Sequence, residues 1–174
     1  RKGDRTDAIL VLGGDGTMLR AARDTADSQI PMLGINLGTL GYLTEVEKNG
    51  MEDAIDRLVA GSYQVEDRMM LCGQIYRQGR MEEENSALND ITITRCGHLR
   101  MLYFQIYVNG KLLKEYHADG IIIATPTGST GYNMSAGGPL VEPGAQMILL
   151  TPVCPHTLQT RSIVLRAADE IIIR

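Results

Sequence analysis

Residues 9–23 read "ILVLGGDGTMLRAAR", an apolar run that stops abruptly at glycines and continues at helical spacing. The run starts at residue 8, is rich in β-forming residues and leads directly into Gly13 and Gly14. It predicts a strand buried on both faces, as in a parallel sheet. Beyond Thr17 the apolar residues recur with a helical period, and Thr17 is a candidate for the N-cap of that helix. The stretch therefore predicts a strand, a tight glycine turn and a helix.

The alternation of strands and helices continues to about residue 62. Residues 30–35 form a second short apolar run that ends in glycines. Apolar residues between 51 and 59 follow the i, i+3, i+4, i+7 pattern, which predicts a helix over residues 52–60. We therefore expect residues 1–62 to be an α/β domain with a parallel sheet, incomplete at its N-terminus.

Strand patterns replace helical ones from residue 63 onward. "ALNDITITR" (87–95) alternates, and Asn109-Gly110 separates two β-rich runs, which predicts a hairpin. "GIIIATPTG" (120–128) predicts an apolar strand that ends at a turn, whereas "RMEEEN" (80–85) is typical of a solvated loop. Residues 63–174 therefore form a predicted β domain. Because "EIIIR" ends the sequence on a strand-like pattern, we expect this domain to be incomplete at its C-terminus.

Composition limits the classes of partner. The 174 residues are 44% hydrophobic, enough for a sizeable core, and no apolar run approaches the roughly 20 residues that span a bilayer. The net charge of −4 argues against broad electrostatic binding of nucleic acid or an anionic membrane. Three cysteines without a C-x-x-C pair favour a reducing cytosol over a disulfide framework. We expect a cytoplasmic globular protein with neither nucleic-acid nor membrane partners.

The glycine turn "GGDGT" (13–17) suits a phosphate-binding site. Gly13, Gly14 and Gly16 leave backbone N–H groups accessible beside the positive end of a helix dipole, which favours an anion. A carboxylate at Asp15 would repel polyphosphate unless it faced a metal ion or a hydroxyl that must lose its proton. The turn therefore predicts phosphoryl transfer to an alcohol. The structural alternative is a tight turn that leaves Asp15 on the surface.

A second polar cluster lies in residues 119–138, where small hydroxyl side chains alternate with glycines. Such side chains offer donors and acceptors for ribose and base edges, and Tyr132 offers a flat face for stacking. A purely structural loop is the alternative, since Ser, Thr and Gly are ordinary loop residues. The hydroxyl and carboxyl side chains of the cluster are Asp119, Thr125, Thr127, Ser129, Thr130, Tyr132 and Ser135.

Taken together, these segments resemble the NAD kinase family, whose members phosphorylate NAD to NADP. "GGDGT" alone is shared with lipid kinases and resembles the phosphofructokinase motif, whereas the "TPTGST" and "PVCPHTL" segments are far more specific. One departure is Gly131, where the family commonly has alanine. The resemblance rests on "GGDGT" (13–17), "GINLGTLGYL" (34–43), "ALNDITI" (87–93), "DGIIIATPTGSTGYNMSAGGPLVEP" (119–143) and "LTPVCPHTLQTRSIVL" (150–165).

The resemblance implies an enzyme that transfers the terminal phosphoryl group of ATP to the adenosine ribose 2′-hydroxyl of NAD. It implies an α/β domain, an all-β sandwich-like domain, a cleft between them, and further segments before residue 1 and after residue 174. Asp15 would be the catalytic base, and Gly13, Gly14, Gly16 and Thr17 would bind the ATP phosphates. Mg²⁺ or another divalent metal is expected with ATP, and a homodimer or homotetramer is expected as the assembly. The residues implied in NAD binding are Asn89, Asp90, Asp119, Thr127, Ser129, Thr130, Gly131, Tyr132 and Ser135.

Three further residues and two rival functions remain open. Asn36 and Gly38 are expected on a loop beside the site, and His156 is a candidate for a site or interface role. A lipid or sphingoid kinase would share "GGDGT" but should present a wide apolar acceptor cleft. A non-catalytic module that binds NAD or NADP is the second rival. The sequence also leaves open ATP or polyphosphate as donor, and NAD or NADH as acceptor.

Overall fold

The computed structural model describes residues 6–39, 41–97, 101–156 and 160–174. The chain divides into two compact units, Arg1–Asp67 and Arg68–Arg174. The first unit holds a parallel sheet with helices, and the second is built from antiparallel strands. The predicted fold class, α/β followed by all-β, is therefore confirmed.

The first unit contains a parallel sheet in which the second strand lies between the other two. One helix follows the first strand directly, as the glycine turn predicts, and the predicted helix over residues 52–60 is confirmed to within one residue at each end. The strands are β1 (Ile9–Leu12), β2 (Met32–Asn36) and β3 (Val46–Glu47), and the helices are α1 (Asp15–Thr25) and α2 (Met51–Val59).

Strand β1 is less buried than the sequence predicts. Val11 is buried, but Leu10 and Leu12, which alternate to the other face, are 41% and 53% exposed. Within the described residues β1 pairs only with β2, so it is an edge strand. The prediction of a strand buried on both faces is therefore wrong for this unit as it stands, because one face of β1 has no cover among the described residues.

The second unit contains a four-stranded and a three-stranded antiparallel sheet and a hairpin of two strands. The four-stranded sheet has the order β11-β10-β9-β6, the three-stranded sheet β12-β7-β8, and the hairpin β4-β5. The strands are β4 (Leu71–Arg77), β5 (Arg80–Ala87), β6 (Asp90–Thr94), β7 (Leu102–Val108), β8 (Lys111–Ala118), β9 (Gly120–Ala124), β10 (Met147–Val153), β11 (Ile163–Arg166) and β12 (Ile171–Ile173).

The main core of this unit lies between the two larger sheets, as in a sandwich. Phe104 and Ile106 of β7 pack in one buried cluster with Ile121 and Ile123 of β9. On the opposite face of β9, Ile122 packs in a second cluster with side chains of the following glycine-rich loop. Strand β9 is therefore buried on both faces, which explains its continuous apolar sequence.

Local turn chemistry correctly predicts one hairpin of the second unit. Asn109 and Gly110 have φ values of 50° and 76° and join β7 to β8. Two positive φ values in succession are the geometry of a type I′ turn, which the Asn-Gly pair favours. The hairpin prediction is confirmed.

One local prediction in the second unit is wrong. Residues 80–85, expected to form a solvated loop, belong to strand β5, which pairs with β4 although its residues 80–85 are all exposed. Backbone pairing in this exposed hairpin does not require an apolar pattern. The predicted glycine-rich loop contains a 3₁₀ turn, Thr127–Thr130, and the short helix α3 (Tyr132–Ser135).

Candidate functional site

The glycine turn connects β1 to α1 in the first unit. The amide of Gly13 donates to the Ile35 carbonyl at the end of β2 (3.0 Å), which fixes the turn against the sheet. Gly14 is the N-cap of α1, and its carbonyl accepts hydrogen bonds from the amides of Thr17 and Met18. The predicted capping role of Thr17 is therefore wrong, because Thr17 is the third residue of the helix. Gly16 is exposed in the first turn, so its amide edge is open to a ligand.

Asp15 is the first residue of α1, where the helix dipole favours a negative charge. Its half-buried carboxylate accepts two backbone hydrogen bonds, from Tyr42 to Oδ2 (2.8 Å) and from Leu43 to Oδ1 (3.0 Å). Because a carboxylate oxygen has two lone pairs, each oxygen still has one to accept a proton or a hydroxyl hydrogen. The arrangement gives a fixed carboxylate next to exposed amides at a helix start, which suits a general base near phosphate.

Asn36 organises the loop that follows β2. It is 3% exposed, and its Oδ1 accepts a hydrogen bond from the Gly38 amide at 2.7 Å. Its Nδ2 donates to the Thr39 carbonyl (2.8 Å) and to Thr44 Oγ1 (3.1 Å). Residue 40 of this loop lies outside the described residues. Asn36 therefore acts on the same loop whose later amides hold Asp15, and the structure places both predicted residues, Asn36 and Gly38, in the first unit with the glycine turn.

The predicted NAD-binding residues all lie in the second unit, where two segments are joined. The Thr125 amide donates to the Asn89 carbonyl (2.8 Å), and Thr125 Oγ1 donates to the Leu88 carbonyl (2.5 Å). The same hydroxyl accepts from the Gly128 amide at 3.0 Å. A Cβ on Gly128 would lie within 3.0 Å of the Asn89 backbone, so only glycine fits there. These contacts bring residues 88–90 beside the loop after β9.

Asn89 carries an unusual buried acceptor. Its side-chain Oδ1 is fully buried and has no hydrogen-bond partner among the described residues. Buried amide oxygens are nearly always paired in folded proteins, so this atom is suited to accept a hydrogen bond from a ligand. A Cβ on Gly131 would lie 3.5 Å from Asn89 Nδ2 and 3.8 Å from Asp90 Oδ2. Asn89, Asp90 and Gly131 therefore lie together, and Asp90 Oδ1 also accepts from Thr92 at 3.1 Å.

The hydroxyl residues of the 3₁₀ turn differ in accessibility. Ser129 is fully buried, and its Oγ both donates to the Val141 carbonyl (3.2 Å) and accepts from the Val141 amide (3.1 Å). Thr127 is also buried and accepts from Arg68 at 3.4 Å, while Thr130 donates to the Thr127 carbonyl. The structure therefore uses the Ser129 hydroxyl to fasten the loop, and a contact from Ser129 to NAD remains a prediction. Thr130 is the more accessible of the three.

Helix α3 presents the remaining predicted side chains of the loop. Tyr132 is 45% exposed, which leaves its ring face available for stacking, and Ser135 is also exposed. Helix α3 begins directly after Gly131, which lies beside Asn89 in space.

Asp119 lies on the connection between β8 and β9, so the length of β9 separates it from the glycine-rich loop. Its carboxylate pairs with Arg95 (3.4 Å), and its backbone bonds to both Arg95 and Val153. His156 is exposed, and its amide donates to the His117 carbonyl at 2.9 Å. Residues 157–159 of its motif lie outside the described residues. The Arg95 ion pair fixes the orientation of Asp119 and is a contact that sequence reasoning missed.

Sequence reasoning also missed Asn133, which anchors the glycine-rich loop. It is fully buried, its Nδ2 donates to the carbonyls of Ser129 (3.3 Å) and Pro139 (3.0 Å), and its Oδ1 accepts from Thr151 on β10 (2.7 Å). The side chain thereby ties both ends of the loop to the outer face of the four-stranded sheet. An asparagine among glycines is visible in the sequence, but its burial is not.

The described residues set limits on metal binding and membrane insertion. Across the described ranges, no three His, Cys, Asp or Glu side chains are grouped so that they could hold a metal ion. A helix with the length and apolar character to cross a bilayer is likewise absent from these ranges.

Comparison with known proteins agrees with this arrangement. Residues 2–63 match the family model of the ATP-NAD kinase N-terminal domain, and residues 88–174 match that of the ATP-NAD kinase C-terminal domain. These matches agree with the class of protein that the fold and the two loops define. In that class, an α/β unit with a GGDGT turn is followed by an all-β unit with a polar glycine-rich loop. The chain belongs to the NAD kinase family.

Individual relatives support the assignment over almost the whole chain. The NAD kinase of Agathobacter rectalis is 58% identical over 166 residues, which cover 95% of this chain and 58% of that protein. Yeast NADH kinase, solved in complex with NADH, superposes with a TM-score of 0.90 at 33% identity over 98% of this chain and 50% of its own. An Archaeoglobus fulgidus NAD kinase, solved in complex with ATP, superposes with a TM-score of 0.78 at 29% identity. The match covers 96% of this chain and 64% of that protein's chain. The chain thus spans about 58% of the length of the curated relatives.

Proposed function

We propose that the protein is an NAD kinase, which transfers the terminal phosphoryl group of ATP to the adenosine ribose 2′-hydroxyl of NAD to give NADP. The observation that carries this proposal is the position of Asp15, a fixed carboxylate in the first turn of α1, directly after the glycine turn. Family membership supports the reaction, and the complexes of the two solved neighbours with NADH and ATP support the substrates.

In the proposed reaction, Asp15 accepts the proton of the 2′-hydroxyl as the oxygen attacks the terminal phosphorus of ATP. The bond from that phosphorus to the bridging oxygen breaks, and ADP leaves. Gly13, Gly14, Gly16 and Thr17 form the proposed phosphate-binding turn, which offers the exposed amide edge of Gly16 and the start of α1 to the phosphates. Mg²⁺ arrives with ATP as the metal–nucleotide substrate and neutralises phosphate charge.

The second unit supplies the proposed dinucleotide contacts. Asn89 is the best supported, because its buried Oδ1 lacks a partner among the described residues and is matched to a ribose or amide donor. Tyr132 offers an exposed ring, and Asp119 a carboxylate oriented by Arg95. Asp90, Thr127, Ser129, Thr130, Gly131 and Ser135 complete the proposed NAD-binding set, with Asn36, Gly38 and His156 as further candidates.

The two rival functions receive less support. The matches to both ATP-NAD kinase domains favour a dinucleotide acceptor over a lipid or sphingoid acceptor. A non-catalytic module would not need a base, and the held carboxylate of Asp15 argues for catalysis. We also propose a cytoplasmic homodimer or homotetramer, supported by exposed apolar side chains on the β4–β5 hairpin, such as Ile75, Tyr76 and Met81.

The test is an NADP assay with the intact protein, NAD, ATP and Mg²⁺, repeated with Asp15→Asn. An amide keeps the shape of the carboxylate but cannot take the proton, so kcat should fall about 10²- to 10⁴-fold while NAD affinity by calorimetry stays within about threefold. Asp24→Asn, an exposed site on the same helix, is the matched control and should leave kcat unchanged. Near-normal turnover of Asp15→Asn would place the base elsewhere, and an absence of NADP formation by the unmodified protein would reject the function.

A further inference from the structure

We propose that Gly41 is a positioning residue, which allows the loop after β2 to close onto the carboxylate of Asp15 and fix its orientation. This inference rests on the proposed role of Asp15 as the base. In this proposal the glycine acts through Asp15, whose carboxylate occupies the space beside its Cα.

The loop holds Asp15 with one amide on each carboxylate oxygen. Tyr42 donates to Oδ2 at 2.8 Å, and Leu43 donates to Oδ1 at 3.0 Å. Two bonds to different oxygens favour one orientation of the Asp15 carboxylate and leave a defined set of lone pairs for the substrate. A base held in this way does not have to be reoriented when the hydroxyl arrives.

Gly41 is required by the space that the carboxylate of Asp15 occupies. A Cβ at this position would lie within 3.0 Å of Asp15 Cγ and both of its oxygens, nearer than real Cβ contacts. The two amides can therefore reach the carboxylate only because residue 41 has no side chain.

The loop is anchored more firmly than the carboxylate, so an added methyl group should move Asp15. Asn36 fastens the loop through Gly38, Thr39 and Thr44. The carboxylate, by contrast, is the end of a flexible side chain that can rotate away. Substitution of Gly41 should therefore leave the fold nearly intact and misplace the base.

The first test compares Gly41→Ala with Gly50→Ala in the intact protein. At Gly50 a Cβ would meet only Val46 Cγ1, at an ordinary 3.7 Å, so this control should retain kcat. Gly41→Ala should lower kcat by about 10- to 100-fold and leave KM for NAD and ATP within about threefold, as expected for a misplaced base. A kcat within about threefold of the unmodified protein would overturn the inference, as would loss through KM alone.

A double-mutant cycle separates a positioning role from a general structural one. In the Asp15→Asn background the base is already absent, so adding Gly41→Ala should lower kcat by less than about twofold. An equal loss in both backgrounds would show that Gly41 acts through something else and would overturn the inference. The Asp15→Asn variant tests the proposed function separately. Full activity of that variant would show that Asp15 is not the base, whatever the effect of Gly41→Ala.

Discussion

The main-chain carbonyl of Asn89 accepts a 2.8 Å hydrogen bond from the amide of Thr125, although 36 positions separate the two residues. This bond extends the pairing of β6 with β9 beyond the strand ends, where Asp90 lies opposite Ala124. It brings the segment before β6 and the loop after β9 together at one edge of the four-stranded sheet. The proposed dinucleotide contacts of Asn89, Asp90 and the 3₁₀ turn depend on this junction.

Gly128→Ala should break the junction. Its Cβ would lie within 3.0 Å of Asn89 backbone atoms, which cannot rotate away as a side chain can. We expect a stability loss of about 1–3 kcal/mol, measured by urea unfolding, together with weaker NAD binding by calorimetry. Gly144→Ala is the control, since its Cβ would meet only the exposed carboxylate of Glu142. Unchanged stability and unchanged NAD affinity in Gly128→Ala would contradict the close packing described here.

Asn89→Ala and Asp119→Ala should each weaken the dinucleotide far more than ATP. Loss of a buried hydrogen-bond partner costs about 1–3 kcal/mol, so KM for NAD should rise about 5- to 150-fold. KM for ATP should change little, which steady-state assays with each substrate varied will show. Asn85→Ala, at an exposed position of β5, is the control. A raised KM for ATP with an unchanged KM for NAD would reverse the assignment of the two substrates.

Gly131→Ala should be tolerated. Gly131 has a φ of −91°, outside the left-handed range that favours glycine, and its Cβ would lie 3.3 Å from the Gly128 carbonyl oxygen, a contact that a small shift can relieve. Alanine has fewer conformations than glycine in the unfolded chain, which stabilises the folded protein by about 0.4–1 kcal/mol. We therefore expect the net change in the free energy of unfolding to stay within about 1 kcal/mol. NADP formation should continue at a comparable rate. A loss as large as that of Gly128→Ala would show that the space at residue 131 is itself required.

Stability should decrease in acid partly through Asp169. Hydrogen bonds from the Asn109 side chain and the Arg166 amide, both 2.9 Å, lower the pKa of this carboxyl below its ordinary 3.8. The folded pKa is the lower one, so the contribution is complete above pH 3.8 and is lost as the pH falls through the folded pKa. Asp169→Asn should therefore destabilise at neutral pH, and its difference from the unmodified protein should shrink in acid. Urea unfolding across that range, with exposed Asp56→Asn as control, checks the sign of this effect.

The sequence by itself determined the features that depend on local patterns. A buried run, a glycine turn and a helical period were enough for β1, the GGDGT turn and α1, because backbone conformation there follows from neighbouring residues. The Asn109-Gly110 turn and helix α2 were predictable for the same reason. The family motifs then predicted which of these turns carry chemistry.

Errors arose where burial or pairing depends on distant residues. The charged residues 80–85 lacked an alternating pattern, yet β4 pairs with them through the backbone, which any side chain permits. Leu10 and Leu12 are apolar, as core residues usually are, but they lie on a face of β1 that the described residues leave uncovered. Helix α3 is too short, at four residues, for its period to be read from sequence.

Only the tertiary structure decided how the candidate site is held together. Asp15 meets the amides of Tyr42 and Leu43 across 27 and 28 positions, and Asn133 reaches Thr151 across 18. Such contacts depend on how β2 lies beside β1 and how the glycine-rich loop packs on β10, and residue spacing does not encode either distance. Gly41 shows the difference most clearly, since the sequence presents it as one more turn glycine, whereas the folded chain requires it because the carboxylate of Asp15 occupies the space of its missing side chain.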